Sequence, residues 1–198
     1  MTVSDLGSVD ELTIAQPDDA AFHVAGLLKA LDLRLDDENA LATPERFAKA
    51  LTELTAGYHV RPERHLEVTF DAPGPPALIT VKKVRFTSLC EHHLLPFTGR
   101  ATISYLPSPG ARIVGLSKLV RLFQDYAARP QIQERLTWQV VEAIMTELDV
   151  QGAACKVVSS HSCLTLRGAR AHEARMVTKW ATGVLRDAPV LRSAGHSK

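Results

Sequence analysis

The sequence predicts an α+β fold built on an antiparallel sheet. Three observations carry this. Helix-period and strand-period segments follow in the order helix–helix–strand–strand–helix–helix–strand–strand. The strands within each pair are joined by links of hairpin length, which suits antiparallel pairing. The length of 198 residues, 45% of them hydrophobic, is enough for roughly one domain with a core of its own.

The elements follow in order. Residues 1–16 are polar and predict a flexible leader. From Pro17, Phe22, Ala25, Leu28 and Leu31 recur at three-residue steps, predicting an amphipathic helix to about Leu33. Thr43 as N-cap and Pro44 in the first turn open a second helix, with Phe47, Ala50, Leu51 and Leu54 as its apolar face and Gly57 as its terminator. Together these predict a helical pair over 17–58, a sheet-bearing core over 59–186 and a tail over 187–198. Pro62, Pro73, Gly74, Pro75 and Pro76 predict a long loop with a short strand at His65–Phe70. LITVKKVRFTSL and GRATISYLP read as strands, CEHHLLPF as the turn between them, and RIVGL as a short strand. Leu119, Val120, Phe123 and Ala127 mark one helix. Ile132, Leu136, Val140, Ile144 and Leu148 mark the next, opened by Pro130. A last strand pair runs from Gly152, through HSCLTLRG, to about Leu185.

Composition excludes several classes. Lys plus Arg is 23 and Asp plus Glu is 22, a net charge of +1, and the pI is near 7.8. That removes the global electrostatic case for a nucleic-acid binder. No apolar stretch approaches the ~20 residues of a membrane span. The opening residues carry acids and no basic leader, so no signal peptide is expected. Three cysteines, an odd count, predict free thiols in a reducing compartment, the cytoplasm.

Two clusters carry metal chemistry. In Cys90-Glu91-His92-His93, a turn lets the Cys90 sulfur and the His93 imidazole converge on one ion, and Zn²⁺ accepts such mixed ligands. His161 and Cys163, two apart on a predicted strand, project to one face. Cys90, His93 and Cys163 make three protein ligands, the number found in catalytic rather than closed structural zinc sites. His92 and His161 are then spare imidazoles for acid–base work near neutral pH. Cys155, eight residues from Cys163, reads as a small buried hydrophobe. Taken singly, each histidine reads as an ordinary polar residue at a strand end; the two histidine–cysteine clusters together favour the chemistry.

A second group is cationic. Gly115-Leu116-Ser117-Lys118 precedes a helix, where backbone N–H groups attract anions. Lys118 and Arg121 share a helix face, Arg167 sits near Gly168, and Arg46 lies in the first turn of the second helix. They read as a polyphosphate cradle or as a solvated face. No Walker motif is present. Gln133 and Glu134 read as contacts to a guanine edge or, for Glu134, as an acid complementing the helix dipole.

CEHHLLPFTG, YLP, VGLSKLVRL, RPQIQERLTWQV and HSCLTLRG, in this order and spacing, resemble the GTP cyclohydrolase I family over residues 20–168. The resemblance implies the tunnelling fold: an antiparallel sheet with helices on one face, sheets of several subunits joining into barrels. It implies a homodecamer with active sites between subunits. It implies zinc on Cys90, His93 and Cys163, proton transfer by His92, His161 and Ser117, triphosphate or ribose contacts from Ser117, Lys118, Arg121, Arg167 and Arg46, and guanine contacts from Gln133 and Glu134. The implied reaction is GTP plus water giving formate and 7,8-dihydroneopterin triphosphate, on the way to tetrahydrofolate or other pterins. Residues 169–180, ARAHEARMVTKW, depart from the Ser/Thr-rich strand usual in the family. The departure admits two alternatives: a paralogue performing the same first step for a specialised deazapurine or pterin route, and a non-catalytic GTP-binding module.

Overall fold

The computed structural model describes residues 17–33 and 37–187. The predicted leader over 1–16 and the tail beyond 187 lie outside the described residues. The chain divides after Glu53 into two compact units.

The N-terminal unit holds α1 (Pro17–Ala30), a single turn α2 (Glu38–Leu41) and α3 (Thr43–Leu54). The two long helices stand where the apolar spacing predicts them, while α2 was not foreseen. Their predicted apolar faces are not buried: Phe22 is 75% exposed and Phe47 50%, and the buried residue of α3 is Ala48.

The second unit opens with two short 3-10 turns, Ala56–His59 and Pro62–Leu66. Gly57 sits in the first, where only a missing side chain fits. A Cβ there would lie 2.1 Å from the Asp125 carbonyl oxygen. Gly57 N–H donates to Ala128 O at 2.8 Å, and Arg129 Nε donates back to Gly57 O at 2.8 Å. Gly57 therefore docks this turn onto the C-terminal end of α4, inside the same unit, rather than merely ending α3.

Two sheets follow. β1 (Thr69–Asp71) pairs antiparallel with β4 (Arg112–Val114). The expected strand at His65–Phe70 is corrected: its first half is a helical turn behind Pro62, and only its end joins a ladder. The main sheet has the order β5–β2–β3–β6–β7, from β2 (Ile79–Cys90), β3 (Pro96–Pro107), β5 (Pro130–Gln131), β6 (Val150–His161) and β7 (Met176–Gly183). All pairings are antiparallel except the short β5–β2 contact.

α4 (Leu116–Ala127) packs on β2, and α5 (Gln133–Glu147) packs on β6 and β7. Their stripes behave as the spacing predicts: Leu119, Phe123, Leu136, Val140 and Ile144 are fully buried. Phe86 meets Phe97 and Phe123 edge-on, at 5.7 and 5.1 Å between ring centroids, which knits β2, β3 and α4 into one core. Cys155 is fully buried in that core, and burial pushes its thiol pKa far up, as expected for an inert hydrophobe.

One strand ends earlier than its sequence suggests. β6 stops at His161, and Ser162–Thr165 forms a helical turn, α6. The reason lies in the partner. His161 pairs with Phe97, and β3 begins at Pro96, so no ladder remains for Cys163. The expectation that His161 and Cys163 share a strand face is thus corrected.

Candidate active site

The turn after β2 is tightly wound. Cys90 N–H donates to Leu95 O at 2.8 Å, and Leu94 N–H returns to Cys90 O at 2.7 Å with Leu94 in the left-handed region. This places Cys90 at the buried base of the turn. The α6 turn brings Cys163 to it, with the two sulfurs 3.9 Å apart across 73 residues of sequence. Ligand atoms of Cys90, Cys163 and His161 lie within 4.8 Å of one another. His93 Nδ1 and His92 Nδ1 each approach the Cys90 sulfur to 3.9 Å. His93 Nε2 accepts from Arg167 at 3.3 Å. Two thiols with neighbouring imidazoles are a soft, mixed donor set that fits Zn²⁺.

The electrostatics agree with a metal-binding cluster. Burial, and then the adjacent Cys90 sulfur, raise the Cys163 thiol. A cation placed between the sulfurs reverses both effects. Burial depresses the His161 imidazole, while the Glu134 carboxylate pulls it partly back up. Glu134, exposed in the first turn of α5, therefore acts on the same ring that the metal group contains.

Gln133 shows what holds His161. It is 1% exposed. Its Nε2 donates to Val157 O and Met176 O, each at 3.3 Å, and to Thr178 Oγ1 at 3.1 Å. With Nε2 so committed, Oε1 is the acceptor, and it receives both the Ser159 hydroxyl and His161 Nε2–H, the latter at 2.9 Å. His161 also stacks on Phe97, with centroids 4.3 Å apart and planes 5° from parallel. The network assigns the His161 proton to Nε2 and leaves the Nδ1 lone pair open. The Gln133 side-chain amide thus faces the sheet.

The other predicted residues are placed separately. Ser117 and Arg121 are exposed on the first two turns of α4, and Lys118 is half-buried there. Among the described residues, no hydrogen bond or ion pair joins these three to the cysteine–histidine group. Arg46 stands in the first turn of α3, in the N-terminal unit.

Sequence reasoning missed Phe97, Ser159 and Arg135. Arg135 of α5 pairs with Glu91 and donates to Pro130 O at 3.0 Å, tying the histidine-bearing turn to the helix. Its hydrogen bond holds the Glu91 carboxyl below the usual range. Only the β3–β6 register, which no single sequence displays, would have revealed Phe97 under His161.

Comparison with known proteins agrees with this geometry. The family model for GTP cyclohydrolase I matches residues 20–197. GTP cyclohydrolase 1 of Streptomyces avermitilis is 40% identical over 197 residues, covering 100% of this chain and 96% of that one. The enzyme of Rhodopirellula baltica is 42% identical over 170 residues, with 86% and 73% covered. That of Thermobifida fusca is 42% identical over 164 residues, with 83% and 79% covered. The antiparallel sheet with α4 and α5 on one face is the tunnelling-fold subunit expected from the sequence. By the extent of these matches, this chain belongs to the GTP cyclohydrolase I family.

Proposed function

We propose that this chain converts GTP and water to formate and 7,8-dihydroneopterin triphosphate. The observation that carries the reading is the meeting of Cys90, Cys163 and His161, from two segments far apart in sequence, in a chain matched to this family almost end to end.

Zinc is held, in this reading, by Cys90, Cys163 and His93. Zinc there supplies Lewis-acid activation of water near neutral pH. The choice of His93 over His161 follows from the hydrogen bonds. His161 is clamped by Gln133 and Phe97, which suits a fixed proton donor and acceptor. His93 belongs to the same turn as Cys90, with Nδ1 towards the sulfur.

The chain's own residues divide the remaining work. His161 takes and releases a proton at Nδ1, with the depressed pKa of a ring that is neutral at pH 7 and ready to accept. His92 and Ser117 serve the later ribose proton transfers. Lys118, Arg121, Arg167 and Arg46 bind the triphosphate, and Glu134 anchors the guanine by accepting from its ring N–H and exocyclic amine. That no hydrogen bond or ion pair among the described residues joins Lys118 or Arg121 to the cysteine cluster supports a site completed by a second copy, in a homodecamer. The exposed Phe22, Leu31 and Phe47 supply apolar surface for such assembly. No helix of the described residues is long and apolar enough to cross a membrane. With free cysteines throughout the described residues, this supports a cytoplasmic enzyme.

Product yield separates this reading from a non-catalytic GTP-binding module, in which Cys90→Ser or His161→Ala changes no yield; Glu134 tests the base pocket. Glu134→Gln is expected to lower kcat/KM for GTP by about 10-fold or more, through loss of a charge-assisted contact. Glu173→Gln, in the exposed 169–175 segment, is expected to leave it unchanged. Steady-state pterin fluorescence measures both, and equal losses contradict the base-pocket assignment.

A further inference from the structure

The main sheet is unusually one-sided in charge. Its strands carry Lys82, Lys83, Arg85, Arg100, Lys156 and Lys179 and not one Asp or Glu, although the whole chain has a net charge of only +1. The register sharpens this. Arg85 lies directly opposite Arg100 across β2–β3, and Lys156 directly opposite Lys179 across β6–β7. Like charges facing each other on adjacent strands destabilise a sheet. The Lys156 ammonium is correspondingly depressed, by partial burial and then by Lys179.

The strand alternation puts these pairs on one side. Arg85, Thr87, Thr98 and Arg100 are exposed, whereas the intervening Phe86, Ser88, Phe97 and Ala101 are buried. Arg100 pairs with Val158, two residues from Lys156, so both cation pairs belong to the same face. The row crosses four strands, about 14 Å at ~4.8 Å per strand. A cavity of about 560 Å³ is lined by Arg85, Phe86, Thr87, Thr98, Gly99 and Arg100 of the sheet, together with Gln124 and Ala127 of α4. Among the described residues no carboxylate is ion-paired with Arg85, Arg100 or Lys179.

We propose that this exposed sheet face is a second anion site, distinct from the cysteine–histidine centre, and that it takes a polyphosphate chain. Two guanidiniums held side by side by the register offer bidentate contacts to phosphate oxygens, and the flanking threonine hydroxyls add donors. The long, flexible arginine and lysine side chains can converge on a triphosphate, free or as the tail of a nucleotide. A nucleic-acid strand is the poorer fit, because the exposed side chains beside the cations on this face are threonine, serine and valine, and Phe86 is buried, which leaves no exposed ring on which bases stack. Repulsion between the facing Arg85 and Arg100 is a stability cost that a bound polyanion removes.

The test is calorimetric titration of the full-length protein with sodium tripolyphosphate. Two classes of site are expected. Arg85→Gln/Arg100→Gln weakens one class at least tenfold with GTP turnover retained, and Lys118→Ala weakens the other. Lys156→Gln/Lys179→Gln produces the first loss with an unchanged or raised Tm, which excludes misfolding as its cause. GTP competing at the first class identifies the nucleotide tail as a ligand, and guanosine is expected not to compete. Tripolyphosphate binding untouched by both double variants overturns the proposal. So does an oligonucleotide that binds this face and resists displacement by tripolyphosphate. A wild-type protein that turns over no GTP, yet loses the first class in the arginine variant, supports the face and contradicts the reaction.

Discussion

Gln133 works through His161. Its amide nitrogen is fully committed to the sheet, which forces its oxygen to accept from His161 Nε2 and so fixes which ring nitrogen exchanges protons. Gln133→Met keeps the length and removes the acceptor. The expected result is a drop in kcat of about 10–100-fold, typical for loss of a residue supporting a site. Zinc content is expected to stay unchanged. Because Ser159 loses its partner as well, stability is expected to fall by about 1–3 kcal/mol. Steady-state kinetics beside zinc analysis checks this, and unchanged kcat contradicts the positioning role. The sequence shows Gln133 in the right block but not its direction. A glutamine in a helix's first turn looks the same whether it faces solvent or a sheet.

At the scale of elements, Gly57 joins the first 3-10 turn to the C-terminal end of α4. Gly57→Ala sets a methyl against two backbone carbonyls that cannot rotate away. The expected cost is about 1–3 kcal/mol, read as a lower urea midpoint with unchanged slope. A midpoint equal to wild type contradicts the close packing. The elements themselves were largely legible. The stripes of α4 and α5 and the hairpin of β2 and β3 follow from apolar spacing and turn chemistry. The end of β6 did not, because SHSCLTL continues to look strand-like after its partner β3 has run out. That unforeseen turn is what lets the Cys163 sulfur reach Cys90. Pairing of Cys90 with Cys163 was readable from residue types, while the inclusion of His161 in the tight group required the fold.

For the whole molecule, stability carries a pH signature. Tyr126 donates to Glu63, joining α4 to the second 3-10 turn. Burial, and then Glu63, raise its phenol well above the ordinary 10.0. The folded state thus holds this proton more tightly than the unfolded chain. The contribution is fully present below about pH 10 and is lost as pH rises from there through the folded value. Unfolding free energy is therefore expected to decline above about pH 10, with a shallower decline in Tyr126→Phe and a loss of about 1 kcal/mol at pH 7 in that variant. Denaturant melts between pH 7 and 11 check the slope, and identical slopes contradict the assignment.

The near-zero net charge likewise conceals separation. The main-sheet strands carry cations and no carboxylate, whereas helices and helical turns carry both signs, among them Glu63, Glu134, Lys118, Arg121 and Arg135. In the reaction assigned to this chain, carbon 8 of GTP is removed. The most direct measurement follows [8-¹³C]GTP by NMR with zinc-loaded wild-type protein and with Cys163→Ala. The label is expected to leave as ¹³C-formate, in step with dihydroneopterin triphosphate, in the wild type and not in the variant. Label that stays in the guanine ring of intact GTP under the same conditions contradicts the account.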